Sequence, residues 1–248
     1  MQKPNVVEKF LKQANYHESW HDDLTQALQQ MDASYLNALL GNQQWLPGSY
    51  NIFNALSLPK NKVTYLLIGE SPYPRVQSAN GYAFWDQAVG SLWSETGLSK
   101  EVNRATSLRN FIKMLLVADK KLSADKTTQP DIAKLNKSQL IETNSELFEK
   151  LIQHGFLLLN ASPVLSELAV RKEAKQWQPF LCALLNKLSQ TRPDVTLILF
   201  GKIAKDFNKL GLLSTHKRLC AEHPYNISFI TNQRVTDFFQ AFKLLHRT

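Results

Sequence analysis

The sequence predicts an α/β fold: a three-layer sandwich whose central, mainly parallel four-stranded sheet is covered by helices on both faces. Short apolar runs at 63–68, 156–159, 195–200 and 219–221 lack the polar alternation of a half-exposed strand, so they read as strands buried on both sides. Stretches of helical length separate several of them, the βαβ rhythm of a parallel sheet. The runs end in Gly69, Asn160, Gly201 and the Glu222-His223-Pro224 turn, residues suited to loops rather than to continued pairing.

Taken in order, residues 8–40 carry helical spacing interrupted near Tyr16 to His21, and the segment from Trp45 to Asn54 is a loop leading to a short helix. The first strand, Val63 to Ile68, follows. Ser107 to Leu116 reads as a helix with Ser107 at its N-cap, its hydroxyl satisfying an unpaired amide. The polar stretch from Lys120 to Lys137 is an exposed excursion, and the remaining strands alternate with helices. Residues 1–248 are expected to form a single domain, with 1–20 a peripheral N-terminal helix or arm.

Composition narrows the partners. With 29 Lys and Arg against 21 Asp and Glu, the net charge is +8, a field that favours a polyanion, nucleic acid first and an anionic membrane second. The first twenty residues include Glu8, Lys9, Lys12, His17 and Glu18 and no apolar stretch of signal-peptide length, so a cytoplasmic protein without a membrane is expected. The two cysteines, Cys182 and Cys220, are isolated and read as reduced. No Cys/His cluster has metal-ligand spacing, and neither a metal nor an organic cofactor is expected.

The most informative stretch runs from Tyr65 through Gly69-Glu70-Ser71-Pro72-Tyr73-Pro74 to Gly81-Tyr82-Ala83-Phe84. Gly69 permits a close backbone approach, and Pro72 and Pro74 stiffen a loop at the carboxyl end of a strand, where open α/β sheets bind ligands. Right-handed crossovers put all parallel strand ends on one edge, so Tyr73, Phe84, Asn160 and His223 can converge there. Each alone has a plainer role: Tyr73 packed in a turn, Phe84 a core aromatic, Asn160 a helix N-cap, His223 a loop histidine.

Six segments in order resemble the uracil-DNA glycosylase superfamily, over roughly residues 20–242. They look like a divergent family 1 enzyme. The family's Gly-Gln-Asp-Pro-Tyr-His is similar to residues 69–74, and its Gly-Leu-(Cys or Ala)-Phe-Ser to Gly81 through Trp85. Pro-Pro-Ser-Leu-x-Asn is similar to Ala105 through Asn110, and Gly-Val-Leu-Leu-Leu-Asn to Gly155 through Asn160. Leu-Leu-Trp-Gly is similar to Ile198 through Gly201, and His-Pro-Ser-Pro-Leu-Ser to His223 through Ser228.

The resemblance implies a monofunctional enzyme that extrudes uracil, or a related deaminated base, from DNA and hydrolyses its N-glycosidic bond. It implies that Phe84 stacks on the flipped ring, that Asn160 pairs with the base edge, and that Tyr73 fills the space beside C5 so that a thymine methyl clashes. His223 donates to the base oxygen on which charge develops, Ser107 and Ser228 hold phosphates, and Ile227 enters the base stack as an apolar wedge. The partner implied is DNA carrying a damaged base, bound by a monomer.

Departures from the pattern carry information too. Ser71 stands where family 1 has the aspartate that orients water, and Glu70 one position earlier restores a carboxylate, in a Gly-Glu-x-Pro order that resembles family 4. Glu70, Ser71 and His223 are therefore the expected catalytic residues. Pro74, Ala105 and Tyr225 replace a histidine, a proline and a serine, which predicts fewer phosphate contacts. Tyr82 and Trp85 predict a bulkier pocket, and Glu222 predicts a protonated His223. The alternative reading is a glycosylase-fold protein that binds DNA or flipped bases with impaired catalysis.

Overall fold

The computed structural model describes residues 5–42, 44–211 and 213–247, the side chain of residue 208 excepted. The chain begins with α1 (Val6–Gln13), α2 (His21–Leu28) and α3 (Ala33–Gly41), and the interruption expected near 16–21 is a single 3₁₀ turn, Glu18–Trp20. Strand β1 (Tyr65–Gly69) is followed by a small hairpin of β2 (Trp93–Ser94) and β3 (Gly97–Leu98), then α4 (Lys100–Arg104) and α5 (Thr106–Ala118). Next come α6 (Gln129–Ala133), α7 (Asn144–Gln153), β4 (Phe156–Asn160) and the long α8 (Val170–Thr191). The chain closes with β5 (Thr196–Phe200), α9 (Lys202–Leu210), β6 (Arg218–Ala221) and α10 (Gln233–Gln240).

β1, β4, β5 and β6 form one four-stranded parallel sheet in the order β4-β1-β5-β6, as the apolar runs predict. The period of two divides each strand between two cores. Leu66, Ile68, Leu157, Leu159, Leu197 and Leu199 point into a core built with α1, α2, α3 and α8, where Phe10, Trp45, Phe53, Trp177 and Phe180 interlock. Leu67, Leu158, Ile198, Phe156 and Phe200 point the other way, onto α5, α7 and α10. The result is helix, sheet, helix.

Within residues 1–20, expected as a peripheral helix or arm, Val7, Phe10, Leu11 and Trp20 are buried in the first of these cores, while 1–4 lie outside the described residues. Two local expectations are corrected. Ser107 does not cap α5: the helix starts at Thr106, and Ala105 serves both as the end of α4 and as an N-cap without a side-chain bond, because the two helices abut. The excursion at 120–137 is anchored, since α6 carries a capping box on Thr128 and buries Ile132.

The chain steps from β1 outward to β4, returns to β5 on β1's other side, and continues to β6. A reversal of this kind opens a crevice at the carboxyl ends of the strands. No helix among the described residues is long and apolar enough to cross a membrane.

Candidate active site

The crevice is a cleft of about 610 Å³ between the strand ends, the first half of α8 and the length of α9. Glu70, Ser71, Tyr73, Phe84, Ser107, Asn160 and His223 all line it. Ile227 and Ser228 do not: they are exposed beside it, at the start of the 3₁₀ turn Ile227–Thr231.

Glycine makes the strand ends fit. Gly69 pairs with Asn160 in the β1–β4 register, and a Cβ at Gly69 would lie 2.7 Å from Asn160 Oδ1 and 2.9 Å from Ala83 Cβ. Pairing continues past both strands, with Ala161 N donating to Gly69 O (2.9 Å) and Ser162 N to Glu70 O (3.0 Å). The reaction edge of the loop is therefore tied to β4. Asn160 is only 4% exposed, yet its side-chain amide has no protein hydrogen bond among the described residues. A buried amide facing a cleft without a partner is costly unless a ligand supplies one.

Phe84 is held by backbone rather than by chance packing. Ala83 N donates to Leu158 O (3.0 Å) on the outer side of β4, and Phe84 itself adopts φ +64°, a conformation that a bulky residue holds only under constraint. The Tyr73 hydroxyl supplies part of that constraint by donating to Phe84 O (3.1 Å). Burial and the nearby charge of Asp86 push the Tyr73 phenol well above its ordinary pKa, so it remains a donor. The Phe84 ring lies 6.1 Å from the His223 ring and 6.3 Å from Phe200. Tyr82 and Trp85, expected to crowd the pocket, face elsewhere: Tyr82 bonds Ser57 (2.9 Å), and Trp85 stacks on Phe148.

His223 follows β6 and sits against Gly201, where a Cβ would come within 2.8 Å of the histidine's own Cβ. Its Nδ1 accepts from Tyr225 N (3.1 Å), which assigns the ring proton to Nε2. Burial lowers the pKa of the imidazole, and Glu70 partly opposes this. The ring is thus a neutral donor through Nε2. The expectation that Glu222 would protonate it is corrected, because that carboxylate turns away to Asn232 (2.8 Å) and to the Ser228 hydroxyl. Burial raises the Glu222 pKa, but hydrogen bonds from its own backbone, Ser228 and Asn232 outweigh it and hold the group charged. Glu70 is the carboxylate that His223 feels across the cleft.

Two sets of residues escaped sequence reasoning. Asn110 of α5 is 3% exposed and directs Nδ2 at the carbonyls of Pro224 (2.8 Å), Tyr225 (3.3 Å) and Asn226 (3.5 Å), pinning the loop that carries His223. The motif similarity at Ser107 to Asn110 contained it without indicating a role. Arg171 and Lys175 on α8, with Lys202 and Lys209 on α9, give the cleft a mainly basic wall, in which Asp206 lies 3.9 Å from Lys202. Their helical spacing on sequence was legible, their shared cleft was not.

The profile of the uracil DNA glycosylase superfamily matches residues 57–245. The chain belongs to this superfamily. Among solved structures, the UNG of Nitratifractor salsuginis is 37% identical, with both chains covered in full and a TM-score of 0.93. The uracil-DNA glycosylase of Streptococcus mutans is 26% identical over 86% of this chain and 85% of its own, and that of Azotobacter vinelandii 27% identical over 90% and 84%. The uracil-DNA glycosylase of mimivirus, 18% identical with a TM-score of 0.58, shares the fold. The α/β sandwich expected from the strand runs, glycosylase-like as the motif resemblance implied, is the fold observed.

Proposed function

We infer that the chain is a monofunctional DNA repair glycosylase that hydrolyses the N-glycosidic bond of uracil, or a related deaminated base, flipped out of DNA. The observation that carries this is the convergence of Phe84, Tyr73, the unpartnered amide of Asn160 and the neutral Nε2–H of His223 on one cleft with Glu70 and Ser71. An aromatic face, an amide edge and a neutral donor match a planar pyrimidine bearing two carbonyls.

Excision proceeds through cleavage of the bond between C1′ and the base nitrogen, which leaves a cation-like sugar and an anionic base. Asn160 accepts from the ring N–H and donates to a carbonyl, while His223 Nε2–H stabilises the charge that develops on the other carbonyl oxygen. Glu70 faces the sugar cation, and its carboxylate takes the proton of the attacking water, which Ser71 holds by hydrogen bonds. The leaving base finally takes up a proton from solvent, and Glu70 returns to solvent the one it took from water. Tyr73 excludes a methyl group at C5 by shape. Glu70 thus does in a family 4-like order what an aspartate at the Ser71 position does in family 1. Ser107 holds a phosphate, Ser228 does so once its hydroxyl turns from Glu222 to the DNA, Ile227 enters the stack, and the net charge of +8 supplies affinity for any sequence. The protein acts as a single-domain monomer in the cytoplasm.

Single-turnover assays on oligonucleotides carrying uracil, hypoxanthine or xanthine test this, with Glu70→Gln, Ser71→Ala, Asn160→Ala and His223→Ala beside the parent. The parent is expected to leave an abasic site at uracil, and each substitution to slow it by about tenfold or more. No abasic product from the parent on any substrate would leave only a base-binding protein of this fold. Full activity in Glu70→Gln would remove Glu70 from its role.

A further inference from the structure

We propose that Tyr225 is a base-stacking residue that works with Ile227 as a two-pronged wedge, its ring lying on a DNA base next to the extruded nucleotide. The proposal rests on the glycosylase reading and assigns Tyr225 a role that the motif resemblance does not, since the matching position of the family pattern is serine.

The side chains of Tyr225 and Ile227 are 67% and 80% exposed, two residues apart on one loop. Among the described residues the Tyr225 ring has no aromatic partner, and its hydroxyl no hydrogen bond. Its backbone, by contrast, is held on both sides: the N–H donates to His223 Nδ1 (3.1 Å) and the carbonyl accepts from Asn110 Nδ2 (3.3 Å). An exposed aromatic ring on a fixed root costs little entropy to place, since only two side-chain torsions remain to be set. Its root is fixed to His223, which lines the cleft, so the exposed ring stands two residues from the cleft on a loop that DNA entering the cleft must meet. Every base offers a π-face, so an aromatic side chain here binds DNA without sequence preference.

The exchange of serine for tyrosine also changes the physics of binding. A serine hydroxyl holds a phosphate through a neutral hydrogen bond, which positions the strand but neutralises no charge; the salt-dependent part of affinity comes from lysines and arginines. Stacking releases no counterion. Tyr225 therefore adds affinity that survives at high salt, which offsets the weaker hold on phosphate that Ala105 and the absent serine hydroxyl entail.

The test measures binding to an uncleavable duplex carrying 2′-fluoro-2′-deoxyuridine at 50 to 300 mM salt, with 2-aminopurine placed on either side of the lesion as a stacking reporter. Tyr225→Ser and Tyr225→Ala are expected to weaken binding by about tenfold at every salt concentration, with an unchanged slope of log affinity against log salt. They are expected to abolish the quenching of one of the two 2-aminopurines, and Tyr225→Phe to retain both properties. The proposal is overturned if Tyr225→Ser binds as the parent does, if Tyr225→Phe is as weak as Tyr225→Ser, which would make the hydroxyl a phosphate contact, or if the salt slope changes, which would place the effect on the charged contacts rather than on stacking. Excision of uracil by the parent is scored separately. Its absence would count against the glycosylase reading, whereas a parent that excises together with an indifferent Tyr225→Ser counts against the wedge alone.

Discussion

Replacing Gly69 with alanine puts one methyl group at the point where β1, Asn160 and the Phe84 segment meet. The added Cβ would lie 2.7 Å from Asn160 Oδ1 and 2.9 Å from Ala83 Cβ, short of ordinary contact at 3.4 Å by 0.7 and 0.5 Å. Ala83 cannot yield without its backbone, so the Asn160 amide, the end of a side chain, is the group that gives way. Ala83 is bonded through its amide to Leu158 O (3.0 Å), and Asn160 is buried on β4 in direct register with residue 69. The Asn160 amide must therefore turn out of the plane in which it meets the base. Overpacking of this kind costs about 1–3 kcal/mol, and in a chain of this size each kcal/mol lowers Tm by roughly 2–4 °C. The catalytic loss is larger in proportion, because misplacing a positioning group by about 1 Å costs on the order of 100-fold. We expect kcat/KM for uracil excision to fall about 30- to 100-fold, with a Tm lower by roughly 2–12 °C. Single-turnover excision and scanning calorimetry measure the two. Gly90→Ala is the control, since a Cβ there meets nothing within 4 Å. A Gly69→Ala protein within threefold of the parent would refute this account of the strand end, as would a Gly90→Ala protein that loses as much.

Asn110→Asp turns a carboxylate toward the carbonyls of Pro224, Tyr225 and Asn226, and should lower kcat about tenfold or more with little change in KM, because His223 acts on charge that appears only in the transition state; equal effects on both constants would contradict the positioning role. The depressed pKa of His223 fixes the sign of the acid limb: the neutral donor is present at neutral pH and is lost as pH falls through a value below the usual 6.5 or so, where a second proton on Nδ1 displaces Tyr225 N. Because Glu70 opposes that depression, the residual activity of Glu70→Gln should lose its acid limb at still lower pH, and a shift to higher pH would contradict the arrangement. Tyr35→Phe removes the hydroxyl shared by the buried Glu173 carboxylate and the Trp177 indole N–H, and should cost about 1–3 kcal/mol in urea unfolding while excision stays within twofold. A stable Tyr35→Phe protein would show that Glu173 is served by Ser166 alone.

The sheet was legible because its signal is local. Runs such as Phe156 to Asn160 and Thr196 to Phe200 need only their own residues to announce a doubly buried strand, and parallel pairing then puts their ends on one edge. The site residues at those ends, Tyr73, Asn160 and His223 among them, could be named for the same reason, and the motif resemblance added Glu70 and gave them a common purpose. The N-cap assigned to Ser107 failed because helix starts depend on what the preceding chain does, here a second helix ending at Arg104.

Partners far apart in the chain were settled by folding alone. The Asn110 amide reaches a carbonyl 114 residues away, and nothing near Asn110 in sequence predicts that bond. Adjacency in sequence made Glu222 the obvious neighbour of His223, yet it bonds Asn232, and the charge across the cleft belongs to Glu70. The proton on Nε2, the φ of +64° at Phe84 and the basic wall of Arg171, Lys175, Lys202 and Lys209 are likewise products of packing. Residue types and periodicity set which chemistry the strand ends can carry. The direction of each polar group is set by hydrogen bonds closed between distant segments, and those exist only once the chain has folded.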